Sequence, residues 1–181
     1  MPLHPIARAS LVMVLSSGAA PGVNLPEPPK ATAIDESPAQ RDARMAWWRA
    51  ARFGLFIHWG PVSLKGTEIG WSRNGERRGT GGTGVVPVGV YDNLYKEFNP
   101  TRFDADEWVR IALDAGMRYL VFTTKHHDGF VNFDSALTDY KITSPASPFR
   151  RDIVRELADA CRRAGLPFGA YYSPPDWHHP D

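Results

Sequence analysis

Three apolar runs set the limits on what this chain can fold into: Phe53-Gly54-Leu55-Phe56-Ile57, Tyr119-Leu120-Val121-Phe122-Thr123-Thr124 and Leu166-Pro167-Phe168-Gly169-Ala170-Tyr171-Tyr172. Each is continuous rather than alternating, the pattern of a strand covered on both faces. Helical stretches lie between them. Asp104 with Glu107 makes a capping-box-like start, Trp108, Ile111, Ala112 and Ala115 fall on one helical face, and Gly116 suits the left-handed C-terminal position. Ile153, Val154, Leu157 and Cys161 share a second such face, stopped by Gly165. Upstream of the first run, Ser37-Pro38 opens a further helix with Met45, Trp47 and Trp48 as its apolar face.

Buried strands bridged by helices, with polar clusters only where strands end, predict an α/β fold with a parallel sheet and a site on its carboxyl edge. A barrel and a doubly wound sheet share that pattern. His58-Trp59-Gly60-Pro61 and a long loop follow the first run, where a doubly wound nucleotide fold would place a Gly-rich turn opening a helix. The expectation is therefore the N-terminal portion of a (β/α)8-like TIM barrel. A complete one takes about 250 residues, so in these 181 residues it is incomplete.

Lys plus Arg total 21 against 20 Asp plus Glu, leaving no long-range field to draw nucleic acid or an acidic membrane. Nothing approaches the roughly 20 apolar residues of a membrane span. Arg8, the apolar run from Leu11 to Leu15 and Gly18-Ala19-Ala20 resemble a short secretory signal over residues 1–20, although Pro21 disfavours cleavage after Ala20. Export, to the periplasm or outside the cell, is the expectation; a cytoplasmic tail is the alternative. Residues 21–40, rich in Pro and Ala, read as a linker, and 41–181 as the catalytic-type barrel portion. The single cysteine, Cys161, reads as a small core residue.

The strand ends carry the chemistry. His58, the pair His126-His127 and the pair His178-His179 each follow a run, with Trp59, Trp71 and Trp177 nearby. A sugar needs that combination, polar groups for its hydroxyls and flat apolar surface for its C–H faces. A metal centre is the rival reading, with Asp128 and Asp176 as further ligands. Against it, adjacent histidines cannot easily bring both rings to one ion from an extended strand, and no HExxH spacing occurs. Gly79-Thr80-Gly81-Gly82-Thr83-Gly84 satisfies GxGxxG but follows no strand and opens no helix, so it reads as a loop. The basic cluster Arg73 to Arg78 reads as solvated surface or loop anchoring.

Four stretches carry a family likeness: Arg52-Phe53-Gly54-Leu55-Phe56-Ile57-His58-Trp59-Gly60, Tyr91-Asp92-Asn93-Leu94-Tyr95-Lys96-Glu97-Phe98-Asn99-Pro100, Thr124-Lys125-His126-His127-Asp128-Gly129-Phe130 and Gly169-Ala170-Tyr171-Tyr172-Ser173. In order and spacing they resemble the α-L-fucosidases of glycoside hydrolase family 29. The resemblance implies a retaining exo-glycosidase that removes terminal α-L-fucose from glycans or glycosides, with no metal or organic cofactor. It implies fucose contacts at His58, His126 and His127, a carboxylate and a tryptophan at Glu68 and Trp71, one of Tyr171 and Tyr172 facing the pocket, and Trp177 beside it. In such enzymes an aspartate attacks the anomeric carbon and a second carboxyl group acts as acid, then base. The family places its nucleophile on a strand after the Tyr-Tyr-Ser stretch, and Asp181 closes this sequence shortly after it. Neither Asp176 nor Asp181 matches that motif, so no catalytic carboxylate is assigned. The expectation is a truncated chain without hydrolytic turnover, poorly stable because a sheet edge and the inner faces of its helices are uncovered. A metal-dependent hydrolase and a non-catalytic sugar-binding fragment are the alternatives.

Overall fold

The computed structural model describes residues 36–74 and 84–179. The signal-like segment 1–20, most of the linker, the glycine-rich loop up to Thr83, Arg77, Arg78 and Asp181 lie outside the described residues.

Helix α1 (Pro38–Ala51) opens as its sequence predicts. Ser37 accepts from the Gln40 amide, the Gln40 side chain returns to the Ser37 amide, and Pro38 sits where no intrahelical donor is needed. It begins inside the segment read as linker. Strand β1 (Leu55–Ile57) is followed by a 3-10 turn (Pro61–Lys65), the single-turn helix α2 (Val88–Tyr91) and a second 3-10 turn (Leu94–Lys96). Helix α3 (Ala105–Asp114), strand β2 (Leu120–Lys125), helix α4 (Ile153–Ala164) and strand β3 (Phe168–Tyr172) complete the order. Asp104 and Asp152 cap α3 and α4 through their carboxylates, and Gly116 and Gly165 take positive φ at the ends.

The strands form one parallel sheet in the order β1-β2-β3, each beside its predecessor. That succession is the one a barrel shows; a doubly wound sheet of order 3-2-1-4-5-6 reverses only after its third strand. The register is Leu55 to Leu120 to Phe168 and Phe56 to Val121 to Gly169. Alternation sends the first row to the helices and the second to what would be the barrel interior. On the helix side, Leu120, Phe122, Val109, Ala112, Ile153, Leu157, Ala160 and Cys161 make the main core. Burying a side chain such as Phe122 contributes about 2 kcal/mol, and Phe122→Ala would cost roughly 3–5 kcal/mol. A satellite core of Val62, Ile69, Val86, Tyr91 and Leu94 lies under the loops after β1.

Two expectations need correction. Only β2 is covered on both faces; Phe56 in β1 is 54% exposed and Tyr172 in β3 57% exposed. Both outer strands lack a neighbour on one side among the described residues, which leaves the interior face covered at β2 but open at Phe56. The buried stripe of α3 is Ala105, Val109 and Ala112, while Ile111 is 50% exposed and Ala115 is also exposed. The sheet takes up the inner faces of the helices, so the uncovered apolar surface is the interior face of the sheet at Phe56 and one flank of α3.

Candidate functional site

All the chemistry gathers at the carboxyl ends of the strands. His58 lies two residues beyond Phe56 and shares its interior face, and Tyr171 in β3 points to the same side. Their rings meet edge to face at 6.3 Å, and each packs on His126 just past β2, His58 at 4.8 Å and Tyr171 nearly parallel at 5.6 Å. Tyr172 points the other way, with the Lys125 ammonium over its ring. Strand alternation, left undecided by the sequence, thus puts Tyr171 with the histidines.

A second layer stands on His127. Its ring is 4.2 Å from that of His126, and Trp71 and Trp177 pack on it at 5.4 and 5.1 Å. The two indoles meet edge to face at 5.1 Å. The backbone supports this corner, because the Trp177 amide donates to the His127 carbonyl at 2.7 Å. His127 Nδ1 is engaged by the Ser173 hydroxyl, which leaves Nε2 for a ligand. Glu68 is exposed on the loop before Trp71.

Electrostatics keep these imidazoles neutral. Burial, then the neighbouring His127, His58 and Lys125, push His126 down to about 3. Burial lowers His58 as well, opposed by the nearby Glu68 carboxylate, and burial with Lys125 lowers His127. A neutral imidazole both donates and accepts, which suits a hydroxyl that does the same.

Other sequence expectations place differently. Trp59 leaves the site for the helix-side core, against Phe98 at 5.0 Å and Trp108 at 5.2 Å, because the residue after His58 must take the opposite face. His178 stacks on Tyr140 at 4.1 Å rather than joining the histidine cluster. Asp176 is structural: its Oδ1 accepts the amides of His178 and His179, and its Oδ2 lies 3.3 Å from the buried Lys125 Nζ. Gly129 makes room for it with φ +86, since a Cβ there would fall 2.3 Å from Asp176 Oδ1. Among the described residues no group of three or more His, Cys, Asp and Glu side chains could hold a metal ion, and no helix there is long and apolar enough to cross a membrane. Cys161 is buried and its thiol is pushed up to about 11 by desolvation.

Several residues have roles that sequence reasoning missed. Asn132, buried, donates to the Trp59 carbonyl at 3.2 Å and the Thr123 carbonyl at 3.0 Å, fastening the ends of β1 and β2. Lys125 donates to the Ser173 and Pro175 carbonyls and so shapes the turn before Trp177. Arg73 is buried and bidentate to Asp92, the anchoring alternative for that basic cluster. Tyr91 donates to Asp128 at 2.7 Å. No local pattern announces these partners, which lie far apart in the chain.

Residues 25–181 match the sequence profile of the alpha-L-fucosidase family. The tissue alpha-L-fucosidase of Homo sapiens is 34% identical over 184 residues, covering 98% of this chain and 39% of the human protein. Among solved structures, the alpha-L-fucosidase AlfC of Lactobacillus casei in complex with alpha-L-fucose superposes with a TM-score of 0.63 at 42% identity, over 75% of this chain and 43% of that one. Alpha-L-fucosidase isoenzyme 1 of Paenibacillus thiaminolyticus gives 0.63 at 47% identity, over 78% of this chain and 31% of that one. The chain thus spans about two fifths of the length of the human relative, at 39%. The fold shared with these structures is the N-terminal portion of a (β/α)8 barrel.

Proposed function

The chain belongs to the alpha-L-fucosidase family, and from that premise we propose that it forms one wall of a fucose-binding pocket in a retaining exo-glycosidase acting on terminal α-L-fucose. The observation that carries the reading is the cluster of neutral imidazoles of His58, His126 and His127, flanked by Tyr171 and by the Trp71–Trp177 corner. The imidazoles exchange hydrogen bonds with sugar hydroxyls, and the indoles take its C–H face. Glu68 adds a carboxylate at the rim.

Retention needs two carboxyl groups about 5–5.5 Å apart. Asp128 is buried beneath Tyr91 and Asp176 is engaged by Lys125 and two amides, which takes both away from the anomeric carbon. Neither supplies that pair, and on this reading residues 1–181 alone bind fucose without hydrolysing its glycosides. Export through the signal-like N-terminal stretch belongs to the same reading, and N-terminal sequencing of secreted material tests it.

Calorimetric titration of the purified chain with L-fucose, beside an assay of 4-nitrophenyl α-L-fucoside hydrolysis, tests the proposal. Saturable binding lost in His126→Ala, with no turnover, supports it. Absence of binding overturns the pocket assignment, and turnover in homogeneous protein overturns the statement about the carboxylates.

A further inference from the structure

The loop bearing Glu68 and Trp71 is tied by a polar relay to the turn that follows β2. Glu68 and Trp71 face solvent while Ile69 and Gly70 are buried, and among residues 67–71 the side chain of Ile69 alone enters a core. The other hydrogen bonds of residues 67–71 are short-range, Trp71 amide to the Ile69 carbonyl, Ser72 amide and hydroxyl to the Glu68 carbonyl and Arg73 amide to the Gly70 carbonyl, while just beyond them the Ser72 carbonyl accepts from the Val86 amide and Arg73 pairs with Asp92. The exception is the Gly70 amide, which donates to the Tyr91 hydroxyl at 2.8 Å. That hydroxyl donates in turn to Asp128 Oδ2 at 2.7 Å. Tyr91 is 1% exposed and Asp128 is equally buried.

The direction of this relay is fixed by chemistry. An amide can only donate and an ionised carboxylate can only accept, so the phenol between them uses its proton on Asp128 and a lone pair on Gly70. Gly70 itself, at φ +72, lies against the His126 ring, and the next residue is Trp71, whose indole packs on His127. A displaced Gly70 therefore moves both an imidazole and an indole of the sugar site.

We propose that Tyr91 and Asp128 are positioning residues: the relay from the Gly70 amide through the Tyr91 hydroxyl to the Asp128 carboxylate sets the Glu68–Trp71 loop against His126-His127, and neither residue touches the sugar. Only the affinity readout below rests on the fucose reading.

The test is amide hydrogen exchange, followed by NMR in this chain, of wild type, Tyr91→Phe, Asp128→Asn and Asp128→Ala, with Tyr95→Phe as a control for loss of a phenol elsewhere. Removing one buried hydrogen bond corresponds to a change of about tenfold. Exchange at Gly70 should accelerate at least about that much in Tyr91→Phe and Asp128→Ala, with the Leu120 and Phe122 amides still protected, and Asp128→Asn should restore most of the protection because its carbonyl still accepts. Fucose affinity should fall in parallel in Tyr91→Phe and stay at the wild-type value in Tyr95→Phe. Unchanged Gly70 exchange in Tyr91→Phe overturns the proposal. Should that variant fail to fold, equal Gly70 exchange in Asp128→Ala and wild type overturns it instead. A wild-type chain that binds no fucose would remove the functional reading while Gly70 exchange still decides this one.

Discussion

Gly70 lies so close to His126 that a Cβ on residue 70 would fall 2.5 Å from His126 Nδ1. With φ at +72 the position also disfavours any side chain, a left-handed residue costing about 1–2 kcal/mol. Gly70→Ala should therefore lower unfolding free energy by about 2 kcal/mol in urea titration and weaken fucose binding more than any surface alanine substitution. Unaltered binding would mean that the loop and the imidazole move independently.

The buried groups make stability depend on pH in two opposed ways. His126 is held at about 3, far below its ordinary value, so as pH falls from about 6.5 the unfolded chain takes up a proton that the folded chain refuses. Asp128 is pushed up to about 6, chiefly by burial, so between about 6 and 4 the folded chain takes up the extra proton. Asp128 offsets the His126 contribution over that range, while the lowered His58 and His127 add to the loss of stability on acidification. Between about 4 and 3 the His126 contribution is no longer offset by Asp128, eroding stability by up to about 1.4 kcal/mol per pH unit. Asp128→Asn removes that offset, so its stability should fall more steeply than that of wild type between pH 6 and 4. Urea unfolding between pH 3 and 7 checks this, and parallel curves for the two proteins would contradict it.

Lys125 is buried with its ammonium shared among the Ser173 and Pro175 carbonyls and Asp176. Lys125→Met would fill the space yet deprive the Ser173 carbonyl of its side-chain donor and Asp176 of its buried counter-charge, at about 3 kcal/mol. The turn carrying Trp177 should loosen, seen as faster acrylamide quenching of tryptophan fluorescence. Arginine is no substitute, because its planar fork does not match three acceptors arranged around one point.

The two indoles of the aromatic corner should respond differently to truncation. Trp177 is 5% exposed and Trp71 44% exposed. Trp177→Ala opens a cavity and should cost roughly 3–5 kcal/mol. Trp71→Ala should leave the melting temperature within a few degrees of wild type while reducing fucose affinity about tenfold, the value of one well-placed aromatic contact. Equal losses of stability in the two variants would show that the corner is a single packing unit.

Much of this architecture is written in local pattern. The three apolar runs, the Ser37, Asp104 and Asp152 caps and the glycines at 116 and 165 each act within a few residues, so periodicity and cap chemistry predict β1, β2, β3, α1, α3 and α4. The polar clusters after the strands mark the site for the same reason, since a strand buried among apolar neighbours can carry histidine only where it ends. Exposure was another matter. The sequence labels Phe56 and Ile111 as apolar but not what lies against them, and in the structure each is left about half exposed, Phe56 meeting only the edges of the His58 and Tyr171 rings among aromatic neighbours in the described residues.

The sequence by itself determined the strands, the helices and the edge at which His58, His126 and His127 collect, because those depend on residue spacing and backbone chemistry. The tertiary structure alone decided that Tyr171 joins them and Tyr172 does not, that Trp59 packs into the helix-side core, and that Tyr91 ties Gly70 to Asp128. The first two turn on which face of a strand end meets a neighbouring element. The third joins residues separated by loops, where only the closed fold brings donor and acceptor within 3 Å.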